Sequence, residues 1–354
     1  MKKNHNHKQI LVCAGSGGVG KTTLAATLAL RGALEGKKSI VLTIDPAKRL
    51  ATALGLSSLT DEPATVAGIP GPGQMDAMML DTKRTFDRLI EKYSPSTAVR
   101  ERILNNRLYQ HMSSMMAGSQ EYMAMERLYE IDQQGDYDLI VLDTPPTRHA
   151  LDFLEAPKKM MNITSHSLLQ WFLKPGLFAG RVGIGFLRKG SEKILAIFDQ
   201  LAGFAFLYEL SEMLSLIESF LSGFHERAES VYHLLREKRV GFVLVTTPQE
   251  MAVQDALYFY RMIQEYDLHF VGFMVNRVHT EFLSEEGFRW PKISDTLSRK
   301  LEVNYHNYQK LAERDQSAIN LLKKVSKKKP LWGIPLQLKD VHDLDSLTKI
   351  KQYL

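Results

Sequence analysis

Cysteine is almost missing from this chain: Cys13 is the single example in 354 residues. No disulfide can form within the chain, and no thiolate cluster can hold a metal. Long apolar runs are missing as well, and nothing approaches the roughly 18 uninterrupted apolar residues of a membrane-spanning helix. The opening residues MKKNHNHKQ are polar and lack the apolar segment of a secretory leader. Nor does one sign of charge dominate. The 45 basic and 40 acidic residues leave a net +5, without the basic footprint of a nucleic-acid binder. Together these absences exclude a disulfide scaffold, argue against secretion and nucleic-acid binding, and fit a cytoplasmic, reducing compartment. No internal repeat is visible. The composition, 44% hydrophobic and 24% charged, is that of a globular chain with ample length for a core.

The chain does contain GSGGVGKTT at Gly15–Thr23. Gly15, Gly20, Lys21 and Thr22 fill the pattern G-x-x-x-x-G-K-[ST], with Ser16, Gly17, Gly18 and Val19 between and Thr23 after. An apolar run, Ile10–Ala14, precedes it, and a helix-like stretch, Leu24–Arg31, follows. Strand, glycine turn and helix start are the context this motif requires. Glycines let backbone N–H groups close on phosphate oxygens, and the helix start adds a positive dipole end. Lys21 would reach the β- and γ-phosphates, and the Thr22 hydroxyl would ligate Mg²⁺.

Further along, Ser39–Ile44 is a continuous apolar run suited to a buried parallel strand and ends at Asp45–Pro46. Residues 61–74 read as a Pro- and Gly-rich loop, and Ala77–Leu80 as a short third strand ending in Asp81. Residues 82–135 read as helical with a break at Ser94–Pro95. Asp138–Leu142 is another buried strand, closed by Asp143–Thr144–Pro145–Pro146. No strand pattern then occurs until Val240–Thr246. Instead, Ile194, Ile197, Phe198 and Leu201, then Leu210, Met213, Leu214, Ile217, Leu221 and Phe224, follow helical spacing. A helix over Gln249–Tyr266, a strand at Phe270–Asn276, a long polar helix over Thr296–Val325, a short strand at Ile334–Leu336 and a closing helix over Leu344–Leu354 complete the pattern. The expected fold is α/β: a P-loop NTPase with a mostly parallel central sheet flanked by helices, plus an inserted helical subdomain. The expected organisation is a nucleotide domain over 8–354, helical insertions at 84–135 and 158–237, and a flexible leader at 1–7. His5 and His7 in that leader form an H-x-H pair that reads as tail rather than metal site.

Asp143 closes a buried strand, where a P-loop protein carries the carboxylate that holds the metal through water. A strand-ending Asp that simply makes a turn is the competing reading. Asp45 likewise ends a strand beside the phosphate loop, where a carboxylate can orient an attacking water; spacing alone does not decide it.

These segments carry a resemblance. GSGGVGKTT, TIDPAKRLATALGL at Thr43–Leu56 and DTPPTRHALDFL at Asp143–Leu154 resemble the ArsA/GET family of P-loop ATPases. AGSQEYMAMERL at Ala117–Leu128, VNR at Val275–Arg277 and IPLQLKDV at Ile334–Val341 extend the likeness over nearly the whole chain. The family groups the arsenite-pump ATPase with the ATPase that delivers tail-anchored membrane proteins, within the MinD/ParA-like class. The resemblance implies that Asp45 is the switch I aspartate activating the hydrolytic water and that Asp143–Thr147 is switch II. It also implies that Asn276 reads adenine, that Ile334 and Pro335 belong to the loop closing over the base, and that the cofactors are ATP and Mg²⁺. Binding at a two-fold dimer interface is implied too.

Two departures qualify the likeness. The family's signature lysine, donated across the dimer to the partner's phosphates, is Ser16 here, as in a bacterial ArsA-like subgroup. Lys48, Arg49 or Arg148 would have to replace it, or a lysine-bearing relative in a heterodimer would supply it. Zinc and arsenite sites in the family use cysteines, and Cys13 alone builds neither, so no zinc is expected. Met112, Met115, Met116, Met123 and Met125, with Met160 and Met161, either line an adaptable groove for a hydrophobic protein client or pack the insert's own core. The expected function is a dimeric ATPase coupling nucleotide state to the helical insert, as a homodimer or heterodimer with at most peripheral membrane contact. The alternatives are a non-hydrolysing ATP-dependent adaptor and a membrane-positioning ATPase.

Overall fold

Four apolar runs form the centre of the sheet. Strands β1 (Gln9–Ala14), β2 (Lys38–Thr43), β5 (Leu139–Asp143) and β6 (Val240–Thr246) are buried at nearly every position. Such runs without alternation belong to parallel strands covered on both faces. In this computed structural model they pair in parallel, and the sheet is completed by β3 (Ala64–Thr65), β4 (Gln74–Met79), β7 (Phe270–Val278) and β8 (Leu331–Pro335). The eight strands run in the order β3-β4-β2-β5-β1-β6-β7-β8. Only β3 pairs antiparallel, at the edge beside β4. The fold is therefore the mostly parallel α/β sheet that the apolar runs imply.

The structure describes residues 8–44, 49–107, 109–110, 119–144, 154–158, 161, 223–280, 294–327, 329–337 and 339–354. Asp45, Pro46, Lys48, Arg148, Met112, Met115, Met116, Met160, the stripe from Ile194 to Leu221 and residues 1–7 lie outside them.

The chain divides into two units. The first holds the sheet and comprises the described residues of 1–80, 128–154 and 234–354. Helix α1 (Lys21–Leu34) follows β1 and presents Leu24, Ala25, Leu28, Ala29, Leu30 and Ala33 to the core. Its alanines let the helix lie close to the sheet, where each fully buried Leu or Ile contributes about 1.5–3 kcal/mol. The register brings Cys13 of β1 and Thr43 of β2 level with Asp143 of β5. Three neighbouring strands thus end together, and the loop after β1 emerges above them.

The second unit comprises the described residues of 81–127 and 155–233. Its helix Thr82–Tyr93 is capped by Asp81, whose carboxylate accepts from the Arg84 N–H, and buries Phe86, Leu89 and Ile90. The break expected at Ser94–Pro95 is there: the next helix, Thr97–Leu104, is capped by Ser96. Tyr122 is fully buried and packs its ring 5.4 Å from that of Phe224. Beside it, Arg227 Nε meets Glu126 Oε1 at 2.7 Å, both side chains nearly sealed from solvent. Burial and the Glu126 charge push the Tyr122 phenol far up, so it stays neutral. Met123 and Met125 are fully buried and pack as core residues.

Element boundaries differ from the sequence pattern in places. The loop expected over 61–74 contains β3, whose two residues are too few to show a period. β4 begins at Gln74 rather than Ala77, because Asp76 lies inside the strand, its carboxylate taken by Tyr137, Thr65 and Gln74. β8 runs from Leu331 rather than Ile334, recruited by its pairing with β7. No described helix is long and apolar enough to cross a membrane.

Candidate nucleotide-binding site

β1 ends at Ala14, and the chain turns through residues 15–20 into α1, whose first residue is Lys21. The glycine pattern has a steric reason. A Cβ on Gly15 would strike the Val245 carbonyl oxygen of β6, so only glycine lets the loop leave the sheet at this height. Gly20 has φ +94, and a Cβ there would strike the Asn276 side-chain amide. That left-handed conformation is one that glycine adopts without steric cost.

Lys21 is 7% exposed despite its charge. Its Nζ donates to the Gly15 and Ser16 carbonyls at 2.9 and 2.8 Å, so the ammonium curls over the loop. Ser16, where the family lysine is expected, is half-buried, and Gly17 and Gly18 are exposed. Thr22 Oγ1 donates to Asp143 Oδ2 at 2.7 Å. Thr43 Oγ1 donates to the same oxygen at 2.9 Å. The structure therefore joins Thr22 and Asp143, as the motifs lead one to expect. It also adds Thr43, which the sequence reading passed over although it opens the segment TIDPA. Thr144 secures the strand end, its hydroxyl donating to the Cys13 carbonyl at 2.9 Å.

A carboxylate, a threonine hydroxyl and exposed loop amides make a donor set of hard oxygens and N–H groups. Mg²⁺ favours such oxygens and keeps several waters while phosphates supply further ligands. The Thr22 hydroxyl and the Asp143 carboxylate are donors of the kind that ion takes. Cys13 is no competitor. Burial first and the Asp143 charge second raise its thiol far above the ordinary 9.0, with Lys21 opposing, and it remains a neutral packing group. Among the described residues no cluster of three or more His, Cys, Asp or Glu is placed to hold a metal.

Asn276 reaches the same loop from β7. Its Nδ2 donates to the Val19 carbonyl at 2.9 Å, and its Oδ1 accepts from the Arg277 N–H at 3.0 Å. Ile334 is fully buried in the core of β8, whereas Pro335 at the strand's end is half-buried. Arg49 opens the short helix Arg49–Ala53 with an exposed side chain.

A family model described as anion-transporting ATPase matches residues 8–354. The chain belongs to this family. Its ArsA/GET resemblance thus extends over nearly the whole chain and not the motifs alone. Among relatives of this ATPase family member, "ATPase ASNA1 homolog 2" of Paramecium tetraurelia is 32% identical over 162 residues, covering 45% of this chain and 46% of the relative. A "Putative arsenical pump-driving ATPase" of Halobacterium salinarum is 31% identical over 157 residues, 42% of this chain and 23% of the relative. "ATPase GET3" of Malassezia globosa is 28% identical over 147 residues, 42% of each chain. The alignments span less than half of each of these relatives.

Proposed function

We propose that this family member is an Mg²⁺-dependent ATPase whose nucleotide state is read out by its helical unit. The observation carrying the proposal is the contact of Thr22 with Asp143 beneath a lysine-capped glycine loop. The ammonium of Lys21 already sits where the loop would wrap a phosphate. On nucleotide entry it exchanges two neutral carbonyl acceptors for anionic oxygens, a stronger charge-assisted pairing. Thr43 and Thr22 orient Asp143 by donating to one of its oxygens. Bound Mg²⁺ supplies neutralisation of the charge that develops on the β- and γ-phosphates. Loop amides and the start of α1 add fixed positive dipoles at no reorganisation cost. Asp45 takes the role of water-orienting base, supported by its match in TIDPA; Asn276, Ile334 and Pro335 take the adenine side on the same ground.

Dimerisation across the nucleotide, a hydrophobic client for the helical unit and a cytoplasmic setting extend the proposal, supported by family membership. A second reading is favoured by Ser16: without the lysine a partner receives, the chain serves as an adaptor that binds ATP but hydrolyses it only beside a lysine-bearing relative. Such a transferred cation is worth about 10³–10⁵ in turnover. Phosphate release, measured for the wild type and for Lys21→Ala, Asp45→Asn and Asp143→Asn, tests the first reading. Magnesium-dependent turnover lost in all three supports it. ATP binding without turnover by the wild type alone supports the adaptor, and turnover untouched by Lys21→Ala would sink both.

A further inference from the structure

The break in β7 is followed at once by a residue tied to one buried carboxylate. β7 pairs with β8 as far as Val275–Gly333, loses register over Asn276 and Arg277, and pairs again at Val278–Pro335. Arg277 adopts φ +59, a left-handed conformation that a non-glycine residue holds at a cost of order 1–3 kcal/mol and only when its surroundings enforce it. The displaced residues matter, because Asn276 then reaches the Val19 carbonyl and fills the space that Gly20 leaves by lacking a Cβ.

What enforces the break lies just after it. Asp315, on the helix Asp295–Ser326, is fully buried. Its Oδ2 accepts from the His279 backbone N–H at 2.9 Å and lies 2.7 Å from His279 Nδ1. Its Oδ1 accepts from Arg314 Nη2 at 3.1 Å. The His279 ring also stands edge-on to Tyr308 of the same helix, 5.3 Å between centroids. The strand is therefore held by β8 pairing on both sides of the break, and just beyond the second side Asp315 fixes His279 as well. An ordinary surface helix needs no buried carboxylate, and a buried carboxylate is retained only where several donors satisfy it.

The geometry points to Asp315 as a positioning residue for the phosphate loop, acting through His279 and the β7 break to set Asn276 against Val19. This deepens the nucleotide-binding proposal and rests on it for its consequence, whereas the contacts that join Asp315 to His279 and Asn276 to Val19 stand without it. Asp315 bonds His279 and Arg314, and the proposed path from it to the loop runs through Asn276.

Hydrogen exchange of the amides of residues 16–22, without nucleotide, tests the link in Asp315→Ala, Asn276→Ala and the double variant. Each single change is expected to speed exchange there by about three- to ten-fold, the worth of one buried hydrogen bond. The double variant should exchange no faster than Asn276→Ala, because both act on one path. Asp315→Asn, which keeps an oxygen for the His279 N–H, should restore near-wild-type exchange. If Asp315→Ala does not fold, Asp315→Glu replaces it, since the longer arm displaces His279 while keeping the charge, and the same loosening is expected. ATP dissociation constants should follow the same non-additive order. Effects that multiply, or a loop unchanged while the melting temperature falls, would overturn the assignment and leave Asp315 a core residue. A wild type that binds no ATP overturns the proposed function instead, and the exchange data still decide the link.

Discussion

Thr43 and Asp143 end neighbouring parallel strands at the same level, and the Thr43 hydroxyl donates to Asp143 Oδ2 at 2.9 Å. Thr22 donates to that oxygen from α1, so a single carboxylate oxygen joins β2, β5 and the phosphate loop's helix. Thr43→Val keeps the shape and removes one donor. The Mg²⁺ concentration needed for half-maximal phosphate release should rise about ten- to a hundred-fold, as expected for one lost hydrogen bond to a charged group. A titration curve that superimposes on the wild type would remove Thr43 from the site.

Gly20 is the position where backbone and neighbour both demand glycine. Gly20→Ala must hold φ +94 with a Cβ and push against Asn276. Strain of that kind costs about 1–3 kcal/mol. Nucleotide affinity should fall by one to two orders of magnitude on that basis. In an Asn276→Ala background the collision is gone and only the backbone strain remains. Isothermal titration should therefore show Gly20→Ala costing less affinity there than in the wild type.

In the helical unit, the Arg227–Glu126 pair is nearly sealed from water, so loss of one partner is costly. Arg227→Met leaves the Glu126 carboxylate buried without its cation, a loss of about 3–5 kcal/mol. Adding Glu126→Gln should recover much of it, since an uncharged amide is cheaper to bury. Thermal unfolding of the single and double variants decides between this and simple loss of arginine packing, for which the second change recovers nothing.

Cys13 gives a pH signature. Its folded thiol titrates far above the ordinary 9.0, so above that pH the unfolded chain gives up a proton that the folded chain retains. The unfolded state is then favoured, and the Cys13 share of stability, whole below pH 9, drains away as pH rises further. Cys13→Ala should flatten this alkaline decline in denaturant titrations. A thiol reagent should leave native protein unlabelled and react once on unfolding; rapid native labelling contradicts the burial.

Much of this was legible locally. Strands Ile10–Ala14, Ser39–Ile44 and Asp138–Leu142 announce themselves because strands buried on both faces have no polar alternation to blur. The glycine spacing before Lys21 is equally plain, since its cause is backbone geometry within a few residues. β3 was not legible: a two-residue edge strand has no periodicity, and its pairing depends on β4 beside it. The extension of β8 back to Leu331 is likewise a consequence of β7, not of its own residues.

Short-range chemistry in the chain was enough to determine a glycine loop between strand and helix, a parallel sheet and the family to which they belong. Tertiary structure alone decided through which hydrogen bonds the side chains meet there, and added Thr43 to them. Thr22 and Asp143 lie 121 residues apart, Thr43 and Asp143 100, and Asn276 and Val19 257. Those contacts depend on strand order and register, which arise when the core packs, and no spacing along the chain carries them.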